Sequence, residues 1–343
     1  MSNFEPVPVT SARLHLALML SRPTAFICAA LTIAVLPLLF TDSYWRTNFT
    51  ICALNVALAV GLDFVLGYAG QLNLGQSAFY GLGAYASTLL VTELGIPFWA
   101  ALTGAIALSC LAGAVLALFA VRLRGHYLAI ASLGFAVITY QILVNWISLT
   151  QGPLGIYAIP PPPALVLPGL PAIDFHDLGN LFYLVAAFAL SSYLLLDRLV
   201  RSPIGEALIA IREDEVSAAS LGINCAAWKV FAFAVSSGVA GAAGCFYPSV
   251  VGTLVPDAFF MTESFTILAM VVVGGTGTLI GPVCGAILLT VLPELLRGIG
   301  DLRLVIYGVA LTLVVLFMPG GIVRAARLAP GLLQRMALRK GAR

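Results

Sequence analysis

Apolar positions in this chain do not alternate with polar ones at the period of a soluble helix or strand; they run together for roughly 17 to 24 residues at a time. A bilayer core of about 30 Å takes about 20 helical residues, so each such run reads as a span. Ten qualify: 24–40, 49–66, 72–92, 98–121, 127–148, 181–197, 230–250, 262–281, 282–297 and 303–318. The pattern predicts an all-α polytopic membrane protein of about ten transmembrane helices, or eight if the pair over 262–297 is re-entrant. Arg13 and Arg22 precede the first run, but no A-x-A cleavage pattern follows it, only Thr41-Asp42-Ser43-Tyr44-Trp45. That run therefore reads as an anchor and not as a removed leader.

Charge sets the orientation, because Lys and Arg accumulate in cytoplasmic loops. With the amino terminus inside, 14 of the 17 cationic residues fall on the cytoplasmic side, and only Arg46, Arg297 and Arg303 fall outside. Residues 1–23 then form a cytoplasmic segment, 24–318 the membrane domain and 319–343 a basic cytoplasmic tail. The connection over 149–180 has no Lys or Arg, carries Asp174 and Asp177, and contains Pro160-Pro161-Pro162-Pro163, so it reads as an external loop stiffened by polyproline II geometry. The connection over 198–229 is cytoplasmic.

Composition narrows the function. Charged residues make up 9% of the chain and hydrophobic ones 61%, and a net charge of +2 leaves no basic stripe for nucleic acid. Six scattered cysteines and three distant histidines, His15, His126 and His176, offer neither a disulfide framework nor a metal site. No G-x-x-x-x-G-K-[ST], H-E-x-x-H or G-x-S-x-G occurs, so ATP binding at a P-loop and hydrolytic chemistry lack their residues. What remains is movement of a solute, or scaffolding; the chain itself is not expected to be an enzyme or to bind a cofactor.

Three segments depart from plain membrane helix. The first runs from Gly67 to Tyr85, with five glycines and the amides Gln71, Asn73 and Gln76 in place of Leu, Val and Phe. Polar groups and glycine-rich backbone at membrane depth must be covered by protein or line a cavity. This segment reads either as a broken helix on a solute path or as close helix packing. The second runs from Val271 to Gly285 and holds Gly274, Gly275, Thr276, Gly277, Thr278 and Pro282. Gly277, Gly281 and Gly285 make two small-x-x-x-small steps. One interrupted stretch in each half of a transporter points to a site between two half-repeats. Gln71, Asn73, Gln76, Ser77, Gly274, Gly275, Thr276 and Thr278 are the candidate lining of that path, with Phe79, Tyr80 and Tyr85 as walls. Asp63, Glu263 and Glu294 read as rim or packing residues.

The third segment, Arg201 to Ile223, reads as a short amphipathic helix. Ser202 caps it, Pro203 opens it, Ile204, Leu208 and Ile211 form one apolar stripe, and Gly222 ends it. With Arg212 set against Glu206, Glu213, Asp214 and Glu215, it suits a protein partner better than a membrane surface.

At these three blocks the chain resembles a known family, the LivM-type permease subunits of branched-chain amino acid ABC importers. The blocks are GYAGQLNLGQSAFYGLGAY over 67–85, RSPIGEALIAIREDEVSAASLGIN over 201–224 and VVGGTGTLIGPVCGAILLTVLPE over 272–294, and the likeness runs from about 45 to 320. The resemblance implies a complex in the bacterial cytoplasmic membrane with a second homologous permease, two ATPases carrying ATP and Mg, and an external solute-binding protein delivering leucine, isoleucine or valine. It implies that Ser202, Pro203, Gly205, Glu206, Arg212, Glu213 and Gly222 belong to a coupling helix seated on an ATPase. The E-A-A-x-x-x-G consensus of ABC importers is not matched literally, since Arg212 stands four residues after Leu208. The family stretch matching Leu149 to Ile156 usually has a glycine where this chain has Gln151. Urea, short amides or other amino acids are alternative solutes within the same reading, and an ion-gradient transporter is the more remote alternative.

Overall fold

The computed structural model describes residues 42–120, 126–165 and 173–299, with short stretches at 308–309, 312 and 321–323. The spans read over 24–40 and 303–318, the amino-terminal segment and most of the basic tail lie outside these residues.

Helix α1 covers Ser43–Asp63 and runs into one π-helical turn, Phe64–Tyr68. Irregular backbone over 69–75 follows, then α2 at Gln76–Thr92, α3 at Phe98–Ala120 and α4 at His126–Asn145. A short turn of helix, α5 at Ile147–Thr150, leads to β1 at Ile156–Tyr157. Helix α6 spans Leu178–Val200, and two short helices, α7 at Pro203–Glu213 and α8 at Glu215–Ser220, lead to α9 at Cys225–Val251. β2 at Thr253–Leu254 pairs antiparallel with β1. The hairpin of α10 at Met261–Gly274 and α11 at Ile280–Leu295 completes the bundle. Among the described residues, five helices are long and apolar enough to cross a membrane, while α10 and α11 have 14 and 16 residues. At about 1.5 Å per residue neither of these two spans a 30 Å core alone.

Their turn also lies earlier than expected. The chain reverses at Gly275–Leu279, not at Pro282, which sits in the first turn of α11, where a missing N–H costs nothing.

Helix α9 is the hub, packed on α3, α2 and α1, and α1 in turn contacts α6 and α11. Lipid gives no hydrophobic drive between helices, so contact depends on small residues that let backbones approach. A Cβ on Gly83 of α2 would stand 2.1 Å from the carbonyl oxygen of Gly241 on α9, so this crossing admits only glycine. At one end the β1–β2 ribbon joins the loops; at the other lie α7 and α8. The Tyr44 hydroxyl donates to Glu294, and Arg297 stacks 4.4 Å from the Tyr44 ring, fixing the end of α11 to the start of α1.

Two helices begin at half-height. Gln76, the first residue of α2, accepts from Ser236 Oγ at 3.4 Å and donates to the Leu58 carbonyl at 3.5 Å, near the middle of α9 and α1. Ser264, in the first turn of α10, accepts from the Ser77 N–H at 2.9 Å and donates to Ser77 Oγ at 2.8 Å. The amino-terminal ends of α2 and α10 therefore meet inside the bundle. From there α2 rises toward the ribbon, where Tyr85 meets Phe259, and α10 descends toward α7.

Replacing Gly83 with Ala is expected to destabilise the fold by about 2 kcal/mol or more through overpacking against backbone. Gly134→Ala on α4, where a Cβ meets nothing within 4 Å, is the control and should raise stability slightly. Thermal unfolding of both variants in detergent checks the pair; equal midpoints would contradict the packing account.

Candidate functional site

The first interrupted segment opens where α1 loosens into its π turn and the chain turns through Gly70 at φ +67°. Backbone left without helical partners at this depth has to be satisfied by side chains. The Gln71 N–H donates to the Val65 carbonyl at 3.0 Å, Leu74 N–H to Ser132 Oγ at 2.9 Å, and Gly75 N–H to Asn73 Oδ1 at 2.8 Å. Asn73 Nδ2 in turn donates to Gln76 Oε1 at 3.3 Å. Gln71, Asn73, Gln76 and Ser77 are all buried, and the last three are occupied by partners within the chain.

The second segment, the 275–279 turn, meets the first. The Gly277 N–H donates to Asp63 Oδ1 at 2.9 Å. Arg212 reaches up from α7, its Nη1 donating to the Gly67 carbonyl. A Cβ on Gly67 would stand 2.2 Å from Asp63 Oδ1 and 2.4 Å from the Gly277 nitrogen, and one on Gly70 would stand 2.6 Å from Arg212 Cγ. A Cβ on Gly277, at φ +74°, would lie 3.2 Å from Arg212 Nη1. Glycine is required because three backbone segments and one guanidinium converge at this point. Asp63 is fully buried, and among the described residues its Oδ2 has no hydrogen-bond partner.

Arg212 is delivered by a braced segment. Ser202 Oγ accepts from the Ile204 N–H at 3.3 Å, so the expected cap forms. A Cβ on Gly205 would stand 1.9 Å from the Val200 carbonyl oxygen, which sets α7 directly against the end of α6. The helix breaks at Asp214, earlier than the sequence pattern indicates. Asp214 Oδ1 takes the N–H groups of Val216 and Ser217 at 2.9 and 3.4 Å, ending α7 and starting α8, and Gly222 closes α8 at φ +86°. The Ser217 hydroxyl, with those two N–H groups, holds the Asp214 carboxyl below the usual carboxylate range. Lys229 pairs with Glu215 at 2.7 Å and Arg201 with Asp197 at 2.7 Å, tying the two ends to α9 and α6.

The apolar stripe of α7 points inward. Leu208 and Ile211 are buried and Ile204 is half-buried against this chain's own core, so no partner takes them. Pro203, Glu206 and Glu213 remain exposed.

The other sequence candidates fall in two places. Phe79 is buried against Phe135, with ring centroids 5.3 Å apart, while Tyr80 and Tyr85 pack against Phe259 near the ribbon. Gly274 and Gly275 are buried in the hairpin, Thr276 is exposed at its tip, and Thr278 Oγ1 donates to the Gly275 carbonyl at 3.2 Å. The sequence makes Asp63 a rim or packing residue; the structure puts it at the centre of the junction. An acid inside the apolar run of α1, four residues before Gly67 and so on the same face, was the signal for it.

The family model described as "Branched-chain amino acid transport system / permease component" matches residues 47–318. The high-affinity branched-chain amino acid transport system permease protein LivM of Escherichia coli K12 is 35% identical over 296 residues, covering 81% of this chain and 69% of that protein. The protein of the same name in Salmonella typhimurium LT2 is 35% identical over 295 residues, with the same coverage. A probable LivM from Methanocaldococcus jannaschii is 23% identical over 318 residues, 78% of this chain and 89% of the relative. No solved structure matches.

Asp63→Ala is expected to speed hydrogen exchange at the Gly277 amide by about tenfold or more, because its acceptor is gone. Asp63→Asn keeps an acceptor oxygen and should retain most of the protection. Unchanged exchange in Asp63→Ala would show that the carboxylate does not hold the turn.

Proposed function

The chain belongs to the family of branched-chain amino acid transport system permease components, and from that premise we propose that it forms half of the membrane path of an ATP-driven importer for leucine, isoleucine or valine. In this reading the α7–α8 segment and both termini face the cytoplasm and the ribbon faces outward, as the distribution of Lys and Arg requires. A second homologous permease completes the path. Two cytoplasmic ATPases supply ATP and Mg, and an external binding protein delivers the solute and sets most of the selectivity.

The observation that carries the mechanism is Arg212, on the cytoplasmic helix α7, bonded to the backbone of the first interrupted segment and in contact with the turn of the second. The exposed residues Pro203, Glu206 and Glu213 offer the ATPase a surface. The buried stripe seats α7 on this chain's own core, in place of a peptide laid on a partner. When the ATPases close, α7 shifts, and Arg212 carries that displacement to Gly67 and Gly277 together. The breaks then move together, and the Asn73–Gln76 and Ser77–Ser264 contacts that seal the centre open toward the second permease.

In the purified complex reconstituted in vesicles, leucine-loaded binding protein is expected to stimulate ATP hydrolysis and leucine uptake together. Arg212→Ala should lower uptake by about tenfold more than it lowers ATP hydrolysis, since one charge-assisted bond in the transmission is lost. Equal loss of both activities would contradict the coupling role. Stimulated hydrolysis that leucine does not alter would contradict the substrate.

A further inference from the structure

Above the meeting point of α2 and α10 lies a group with no task in the mechanism so far. Glu263 stands in the first turn of α10, one residue before the Ser264 that is bonded to Ser77. It is part-buried, and among the described residues its carboxylate makes no hydrogen bond or ion pair. Its charge lies within electrostatic reach of the Tyr80 and Tyr247 hydroxyls. Tyr80 is 4% exposed, and among the described residues neither hydroxyl has a hydrogen-bond partner. The rings of Tyr80, Tyr247 and Phe259 stand edge to face, with centroids 5.5, 5.1 and 5.6 Å apart, and form an apolar wall beside these polar tips.

An acid in the first helical turn gains from the helix dipole, but by no more than about 1 kcal/mol at an exposed site. That is too little to offset desolvating a carboxylate beside three aromatic rings. An unpaired acid at membrane depth in a transporter marks a site for a cation that comes and goes. Tyrosine rings and hydroxyls suit an organic ammonium, through the ring faces and as hydrogen-bond acceptors. The amino-terminal ends of α2 and α10 carry partial positive charge and face the same region. A carboxylate beside two such ends has the polarity of a zwitterion reversed.

We propose that Glu263, with Tyr80 and Tyr247, receives the α-ammonium group of the amino acid as it crosses, leaving its carboxylate toward the amino-terminal ends of α2 and α10 and its side chain against the aromatic wall. This rests on the transport reading above and adds to it a site within the path. The site acts during passage, after release from the binding protein. Its loss therefore lowers the maximal rate and leaves the half-saturating leucine concentration unchanged.

The test uses the complete complex in vesicles, with Glu263→Gln, Glu263→Asp and Tyr80→Phe compared with the unmodified chain. Glu263→Gln is expected to cut the maximal rate of leucine uptake by about tenfold or more. ATP hydrolysis stimulated by loaded binding protein should stay within about twofold, since the coupling contacts are untouched. Glu263→Asp should recover part of the rate, and Tyr80→Phe, which keeps the ring, should cost about threefold. Uptake within about twofold of the unmodified complex in both Glu263→Gln and Tyr80→Phe would overturn the proposal. So would a loss of ATP hydrolysis equal to the loss of uptake, which would assign Glu263 to assembly. Leucine import by the unmodified complex tests the transport reading alone; the ratio of variant to unmodified rate tests the site.

Discussion

Backbone that leaves the helix inside a membrane has no water to bond, and every freed N–H and carbonyl must find a partner in the protein. Among the described residues, two glycine-rich breaks follow Tyr68 and Gly274, and they satisfy each other. Asp63 takes the amide of the second break, Arg212 takes a carbonyl of the first, and Gly67 and Gly277 lie against each other because neither has a side chain. Much of the remaining architecture answers that need. The hairpin of α10 and α11 is short because it only has to bring its turn to α1, and Ser132 and Ser264 lie where the N–H groups of Leu74 and Ser77 need bonds.

A junction of this kind is rigid and breakable at once. Its bonds are few and directional, and two of its partners come from elements that differ in attachment. Asp63 belongs to the core helix α1, and Arg212 belongs to α7, which sits at the end of the bundle on short connections. A small shift of α7 therefore changes the bonding of both breaks. Motion is concentrated where the backbone is already irregular, and the helices that meet lipid stay whole.

The sequence made some of this plain and hid the rest for physical reasons. Long apolar runs and two glycine-rich interruptions were legible, as were the Ser202 cap and the Pro203 start of α7, because these signals are local. Gln151 has left-handed backbone, at φ +59°, a conformation that glycine adopts most easily. What stayed hidden depends on distant contacts. The apolar stripe of α7 gives no sign of whether a partner or its own chain covers it. The Asp214 side chain competes for backbone N–H groups and splits one expected helix into two. Asp63 and Glu263 looked peripheral because a single acid in an apolar run carries no direction, and only the fold brings Gly277 to one and the tyrosines to the other.

The central claim is that the α7–α8 segment and the 275–279 turn move as one body. Spin labels at Ser220 and Thr276, each paired in turn with a label at Trp99 near the start of α3, test it in the assembled complex with and without trapped ATP. The account predicts that both distances to Trp99 change on ATP trapping while the Ser220–Thr276 distance holds. A change in the Ser220–Trp99 distance with no change at Thr276 would mean that the cytoplasmic helix moves without the break, and the account would be wrong.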